Sequence, residues 1–356
     1  MSPAGYQKKN SCAGIDWFRI LAAVMVIAIH IGPLSNISSD MDYLVTYCAG
    51  RVAVPFFLMT TGYFVIAPWK MSRGAETGRV LRFLKKTLLL YGVSIALYLP
   101  VNLYAGELPD SVGGLFRMLL FDGTFYHLWY FPAVILGCLL TMAMLRKLSV
   151  RTVFILAFVL YLVGVGGDSW FGLVTRIPGA GSLYDMVFTV SSYTRNGVFF
   201  APMFLMLGTL VRENERRAGQ KDSICGRTGV LVAELMFGMV LMLGEGYLSC
   251  LLNVQRHNSM YLFLIPVMYV LFRLLLKVPG HAPAWSRDVS MLVYVIHPAV
   301  LIGLRGIAGA AGLTDLLVEN TLIQFVSVTA LSFAAAAVIH FLLLRMKHFR
   351  RRREAR

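Results

Sequence analysis

An imidazole and a guanidinium sit eleven positions apart in one apolar stretch, DWFRILAAVMVIAIHIGPL, which runs from Asp16 to Leu34. An imidazole titrates near neutrality and can take a proton from a hydroxyl, while a guanidinium can hold an anion or an oxygen that gathers charge. On a helix at 100° per residue, His30 returns to within about 20° of Arg19 and lies about 16 Å further along the axis. One stripe therefore carries both groups. An ionisable side chain in hydrocarbon costs several kcal/mol unless it faces a bundle interior, water or a partner. Two readings of each residue stand. Arg19 either snorkels to the headgroups, paired with Asp16 one turn back, or serves a site. His30 is either a hydrogen-bonded packing residue or a base.

Other residues of the same kind fall near the same end as His30. Arg51 lies in AGRVAVPFFLMTTGYF, and FYHLWYFPA brings His127, Trp129 and Tyr130. YTRNGVFFAPMFLMLG brings Arg195 and Asn196, while Glu245 and Arg305 close later apolar segments. Singly, each fits an interfacial anchor, and the aromatic neighbours fit an interfacial belt. Together, arginines, histidines and a glutamate gathered at one face point to a site. His297 sits in mid-segment beside Pro298, which leaves a backbone carbonyl unbonded for a polar neighbour to satisfy. A structural and a functional role both remain open for it. The five cysteines are scattered without a C-x-x-C, so neither a disulfide framework nor a metal site is expected.

The elements that position these residues are transmembrane. Of 356 residues, 58% are hydrophobic and 14% charged, too little charge for a soluble surface. Helices of about 20 apolar residues are predicted near 15–34, 45–67, 83–104, 128–146, 150–167, 197–212, 229–247, 259–277, 288–306 and 321–345. Alternate connections are basic, from Lys8 and Lys9 through WKMSRGAETGRVLRFLKK to the tail RMKHFRRRREAR. The others hold Asp40, Asp42, Glu107, Asp110, Asp122, Asp168, Asp185, Asp315 and Glu319, and no lysine. This alternation follows the positive-inside rule and predicts an all-α bundle of about ten spans with both termini cytoplasmic. The net charge of +15 then belongs to topology and anionic lipid, not to a nucleic-acid surface. No small-residue cleavage site follows the first apolar run, so it reads as a retained span. The connection 168–196, rich in glycine and aromatics, is expected to lie over the outer face as a lid or a re-entrant piece. The organisation expected is a transmembrane domain over 1–345 and a basic cytoplasmic tail over 346–356.

GIDWFRILAAVMVIAIH resembles the opening helix of the acyltransferase family 3 membrane proteins, whose signature is an arginine, ten residues, then a histidine. VPFFLMTTGYF, YHLWYF, RNGVFFAPMFLMLG and SMLVYVIHP follow in that family's order, so the resemblance covers essentially the whole chain. Within the family, the first two segments are most similar to the membrane half of vancomycin-resistance serine racemases. In those, a cytoplasmic racemase domain follows and serine uptake is associated with the bundle. The chain either stands alone or is the membrane portion of a longer protein.

The resemblance implies O-acyl transfer, with acetyl as the expected group. Cytoplasmic acyl-CoA is the co-substrate, no cofactor is permanently bound, and the acceptor is a hydroxyl on an extracytoplasmic carbohydrate or small molecule. It places His30 as catalytic base and Arg19 as the residue that orders the site or contacts the donor. Arg51, His127, Trp129, Tyr130, Arg195, Asn196, Glu245 and His297 become supporting or substrate-binding candidates. A bacterial plasma-membrane location follows. The rival reading is a transporter of L-serine or another small polar molecule. Against it, no paired repeats with broken helices are visible. A sensing module is the third reading.

Overall fold

A computed structural model of the chain describes residues 12–222, 228–283 and 285–354. Lys8, Lys9 and Cys225 lie outside them, as do the last two residues of the tail. Each of the ten predicted segments is a helix: α1 (Ala13–Ile31), α2 (Ser39–Met71), α3 (Thr77–Ala105), α4 (Tyr130–Lys147), α5 (Val150–Gly166), α6 (Ala201–Asp222), α7 (Thr228–Leu251), α8 (Leu264–Lys277), α9 (Ser286–Ala311) and α10 (Thr321–Glu354). By length and composition, seven of the described helices can cross a membrane: α1, α2, α3, α4, α7, α9 and α10. The apolar α5 is shorter, α8 has 14 residues, and the second half of α6 is charged. No strand occurs among the described residues. The protein is a multi-pass, all-helical membrane protein.

The helix α1 is central, packing on α2, α8, α9 and α10. Gly32 ends it in the left-handed conformation that favours glycine (φ 68°), and its N–H bonds the Ala28 carbonyl at 2.9 Å. Pro33 cannot continue the helix. Buried Asp42 then accepts from the Leu34 amide at 3.0 Å and the Thr46 hydroxyl at 2.9 Å, tying the start of α2 to the end of α1. An acid read only as a topology marker is thus a turn staple. It fixes where His30 sits relative to Arg51.

A second seam joins α2 to α6. A Cβ on Gly62 would lie 2.0 Å from the Leu205 carbonyl oxygen, and one on Gly208 would lie 2.2 Å from that of Met59. Small residues let two backbones approach in a setting where lipid offers no hydrophobic drive for helix association. The connection 168–196 forms two short helices, Phe171–Val174 and Ala180–Val190. It is pinned to the 252–263 connection by the Gly172 amide on the Val254 carbonyl at 2.7 Å.

Candidate functional site

The polar stripe of α1 is intact and its ends differ. At one end, Arg287 on α9 grips Asp16 with two parallel bonds of 2.8 and 2.7 Å. Arg19 stands 3.4 Å from the same carboxylate, with its Nε buried and without a hydrogen bond. Asp16 thus answers two arginines, the expected Arg19 one turn on and Arg287 271 positions away, and the Arg19 guanidinium also lines a cavity. That cavity has a volume of about 500 Å³. Arg19, Arg79, Lys86 and Arg287 outnumber one acid, Asp288, at its basic mouth, and Phe57, Thr60, Thr61, Tyr130 and Met291 line its inner wall.

Beside α1, a second and much smaller space, a neck, shares part of this cavity's wall. Phe57, Tyr130 and Met291 line both spaces, and Val26 and Tyr294 line the neck. Its free volume is about 10 Å³, room for roughly one water. Tyr130 and Tyr294 face each other there with ring centroids 5.7 Å apart. The Tyr294 hydroxyl donates to the His127 carbonyl, so the neck's wall is tied to the group beyond it.

Beyond the neck lie three imidazoles. His30 stacks on His297 at 5.4 Å with 23° between ring planes, and His127 meets the other side of His297 edge-on at 5.4 Å. His30 also packs on Tyr126 at 4.7 Å, so it faces the bundle and not lipid. The expected role of Pro298 is visible in α9. With no proline N–H to bond it, the Tyr294 carbonyl accepts from His297 Nδ1 at 2.9 Å, and Val293 accepts from the same nitrogen at 3.1 Å. Two carbonyls cannot donate, so Nδ1 carries the proton and Nε2 presents a lone pair. That Nε2 is buried with no partner, as are both ring nitrogens of His127. The Tyr98 hydroxyl enters the same break, donating to the Val295 carbonyl at 2.6 Å and accepting from the Ala299 amide at 3.2 Å. Among the described residues, no group of three His, Cys, Asp or Glu side chains is arranged to hold a metal ion.

Arg51 and Arg195 lie within Coulombic reach of His30. Arg195 is sandwiched by aromatic faces, 4.4 Å from the centroid of Tyr193 and 5.2 Å from that of Trp129. Three predicted residues do other work. Glu245 accepts from Trp170 Nε1 and the Leu262 amide, both at 2.8 Å, and from the Phe263 amide at 3.0 Å. Both its oxygens are spent anchoring the start of α8, so it braces the site from outside. Asn196 is likewise occupied, accepting from the Val198 and Phe199 amides ahead of α6. Arg305 bonds Gln324 on α10 at 3.2 Å.

The residues that sequence reasoning missed are Arg287, Tyr294, Asp168, Asn258 and Ser259. Asp168 is fully buried and accepts at Oδ1 from the Ser259 and Met260 amides at 2.6 and 2.9 Å, shaping the loop on which both arginines rest. A signal existed for Tyr294, one turn before His297 in SMLVYVIHP. None existed for loop residues 258 and 259.

The described bundle can be set beside known proteins. Residues 13–341 match the acyltransferase family 3 profile, described as an acyltransferase domain. An amino-acid racemase of Enterococcus faecalis is 38% identical over 344 residues, covering 96% of this chain and 46% of that protein. A serine/alanine racemase of Enterococcus gallinarum is 39% identical over 343 residues, covering 94% of this chain and 46% of that protein. The chain thus spans about half the length of these curated relatives. No solved structure matches. With the match running from the start of α1 into α10, the chain belongs to the acyltransferase family 3 membrane proteins.

Proposed function

We propose that this protein is a membrane-bound O-acyltransferase that takes an acetyl group from cytoplasmic acetyl-CoA and passes it to a hydroxyl on an extracytoplasmic carbohydrate or small molecule. Ten bilayer crossings with both termini cytoplasmic in a bacterial plasma membrane go with this reading, as does acetyl-CoA as a passing co-substrate. One observation carries it: a basic-mouthed cavity of about 500 Å³ at Arg19 and an imidazole cluster at His30 occupy opposite ends of one stripe on α1. Arg79, Lys86 and Arg287 suit the donor's phosphates. Thr60, Thr61 and Tyr130 suit an amide-bearing arm reaching inward.

In the reaction, His30 takes the proton of the acceptor hydroxyl, and that oxygen attacks the thioester carbonyl. The tetrahedral adduct collapses with cleavage of the carbon–sulfur bond, and the departing thiolate receives the proton from His30. For the thioester to reach His30, Tyr130 and Tyr294 must separate. His297, locked with its free Nε2 toward the cluster, orients the imidazole stacked on it. The test uses proteoliposomes with radiolabelled acetyl-CoA. Label on an acceptor, or release of free CoA that disappears in His30→Ala, supports the proposal. No CoA release by the unaltered protein sinks it.

The names of the relatives favour a second reading, since one carries serine and alanine in its name. The same interior would then be a path for L-serine or a similar solute. Proteoliposomes that accumulate labelled serine without consuming acetyl-CoA would establish it.

A further inference from the structure

At the His30 end, two guanidiniums converge on consecutive residues of one loop. Arg51 donates to the Asn258 amide oxygen, and Arg195 donates to the Ser259 hydroxyl at 3.0 Å. A guanidinium carries five N–H donors in a planar fork. Each of these two spends one of them on a neutral partner, and the Nε of each is buried with no acceptor. Tyr193 and Trp129 cover the face of Arg195, and Tyr47 lies under Arg51 at 5.6 Å. The planes are therefore held while the Nε donor of each is left without an acceptor.

The acids nearby do not balance these cations. Asp168 is within Coulombic reach of both, but its Oδ1 is taken by two amides and its Oδ2 meets neither arginine. Asp122 is also within Coulombic reach of Arg195, but its oxygens serve Ser191, Ser192 and Arg117. Arg256 adds a third positive charge, 3.6 Å over Phe188 and donating to the Ser192 carbonyl at 2.7 Å. His257 in the same loop adds none near neutrality: burial, then Arg195, Arg256 and Arg51, push its pKa down to about 4. Surplus positive charge in a half-buried setting is costly unless an anion arrives to complete it.

We propose that the substrate of the outer site carries an oxyanion, a carboxylate or a phosphate ester, beside its reacting hydroxyl, and that Arg51 and Arg195 hold it while the hydroxyl faces His30. This deepens the acyl-transfer reading and rests on it only for the fate of the hydroxyl. A planar fork suits such a group in bidentate fashion. A neutral polyol would leave both guanidiniums desolvated and unpaired.

The test compares two anionic probes with a neutral one that keeps the neighbouring hydroxyls. The purified chain in detergent is titrated calorimetrically with glycerate, glycerol 3-phosphate and glyceramide. One of the two acids should bind saturably, with the amide at least about thirtyfold weaker. Which acid binds tells carboxylate from phosphate. Arg195→Gln and Arg51→Gln should each weaken the bound acid by a similar factor. A substitution inside the bundle can unfold it, so the comparison of acid with amide on the unaltered chain stands alone as a criterion. Equal affinity for acid and amide, no binding of either acid, or acid binding unchanged in both folded variants overturns the proposal. Acid binding without acetyl-CoA consumption would sink the acyltransferase reading and leave the anion site standing. Turnover on neutral acceptors with no acid binding would do the reverse.

Discussion

At the Arg19 end of α1 the acids have been claimed: Asp16 is clamped by Arg287, and Asp288 faces Lys86 at 3.8 Å. One buried nitrogen there, Arg19 Nε, lacks an acceptor, whereas at the His30 end such groups accumulate. His127 has two unbonded ring nitrogens, His297 one, and Arg51 and Arg195 each a buried Nε without an acceptor. Buried polar groups are almost always satisfied in folded proteins, so a concentration of exceptions marks where a ligand completes the structure. Basic residues gather at one end of a membrane bundle for topological reasons, so the open valences at the other end say more about chemistry. Unpartnered buried donors and acceptors have no topological excuse. The His30 end is therefore where chemistry should be most sensitive to single atoms. The Arg19 end should respond in donor affinity.

That contrast can be broken. The largest effect is expected at His30: His30→Ala should lower acetyl transfer by about 10²- to 10⁴-fold, with acetyl-CoA binding unchanged in equilibrium titration. A comparable loss of donor binding would mean the two ends are one site. At the other end, Asp16→Asn removes the negative charge and one of the two oxygens that hold Arg287. It should raise the KM for acetyl-CoA by about tenfold, corresponding to one charge-assisted bond, with kcat changed less. A fall in kcat at constant KM would contradict the division. Met291 lines both cavity and neck, so Met291→Ala should raise turnover of butyryl-CoA relative to acetyl-CoA several-fold. An unchanged ratio would show that the acyl group travels elsewhere.

The smallest effect concerns acid stability. Folded His257 has its pKa pushed down to about 4 by burial and by Arg195, Arg256 and Arg51, and its ring also packs on Tyr193 at 4.5 Å. The unfolded chain takes up that proton near pH 6.5. Between these values the unfolded state binds more protons, so this contribution to stability falls as pH falls. His257→Gln should flatten the decline of melting temperature in that window. A steeper decline would reverse the assignment.

The helices were legible because membrane insertion imposes long apolar runs and sorts loop charge, both properties of neighbouring residues. The Arg19–His30 stripe was legible for the same reason, since 3.6-residue periodicity is local. Pro298 announced that a carbonyl would be left over, and His297 is the neighbour that takes it. What could not be read were partners chosen across the chain. Arg287 claims Asp16 from 271 positions away, and Arg51 meets Asn258 from 207 away. Glu245 looked like a site acid because it closes an apolar helix. Its actual targets are backbone amides, which no side-chain pattern discloses.

The bond between His297 and its own helix has a further consequence. Any aqueous route that admits a solute or an acyl group partway through a membrane threatens to become a wire for protons, because imidazoles relay them by accepting at one nitrogen and releasing at the other. In His297 the releasing nitrogen is tied to the Val293 and Tyr294 carbonyls, which lead back into the helix and offer no onward acceptor. A proton taken up at Nε2 can leave only by the way it came. The histidine cluster can thus work as a base within the bilayer while the membrane potential stays insulated across it.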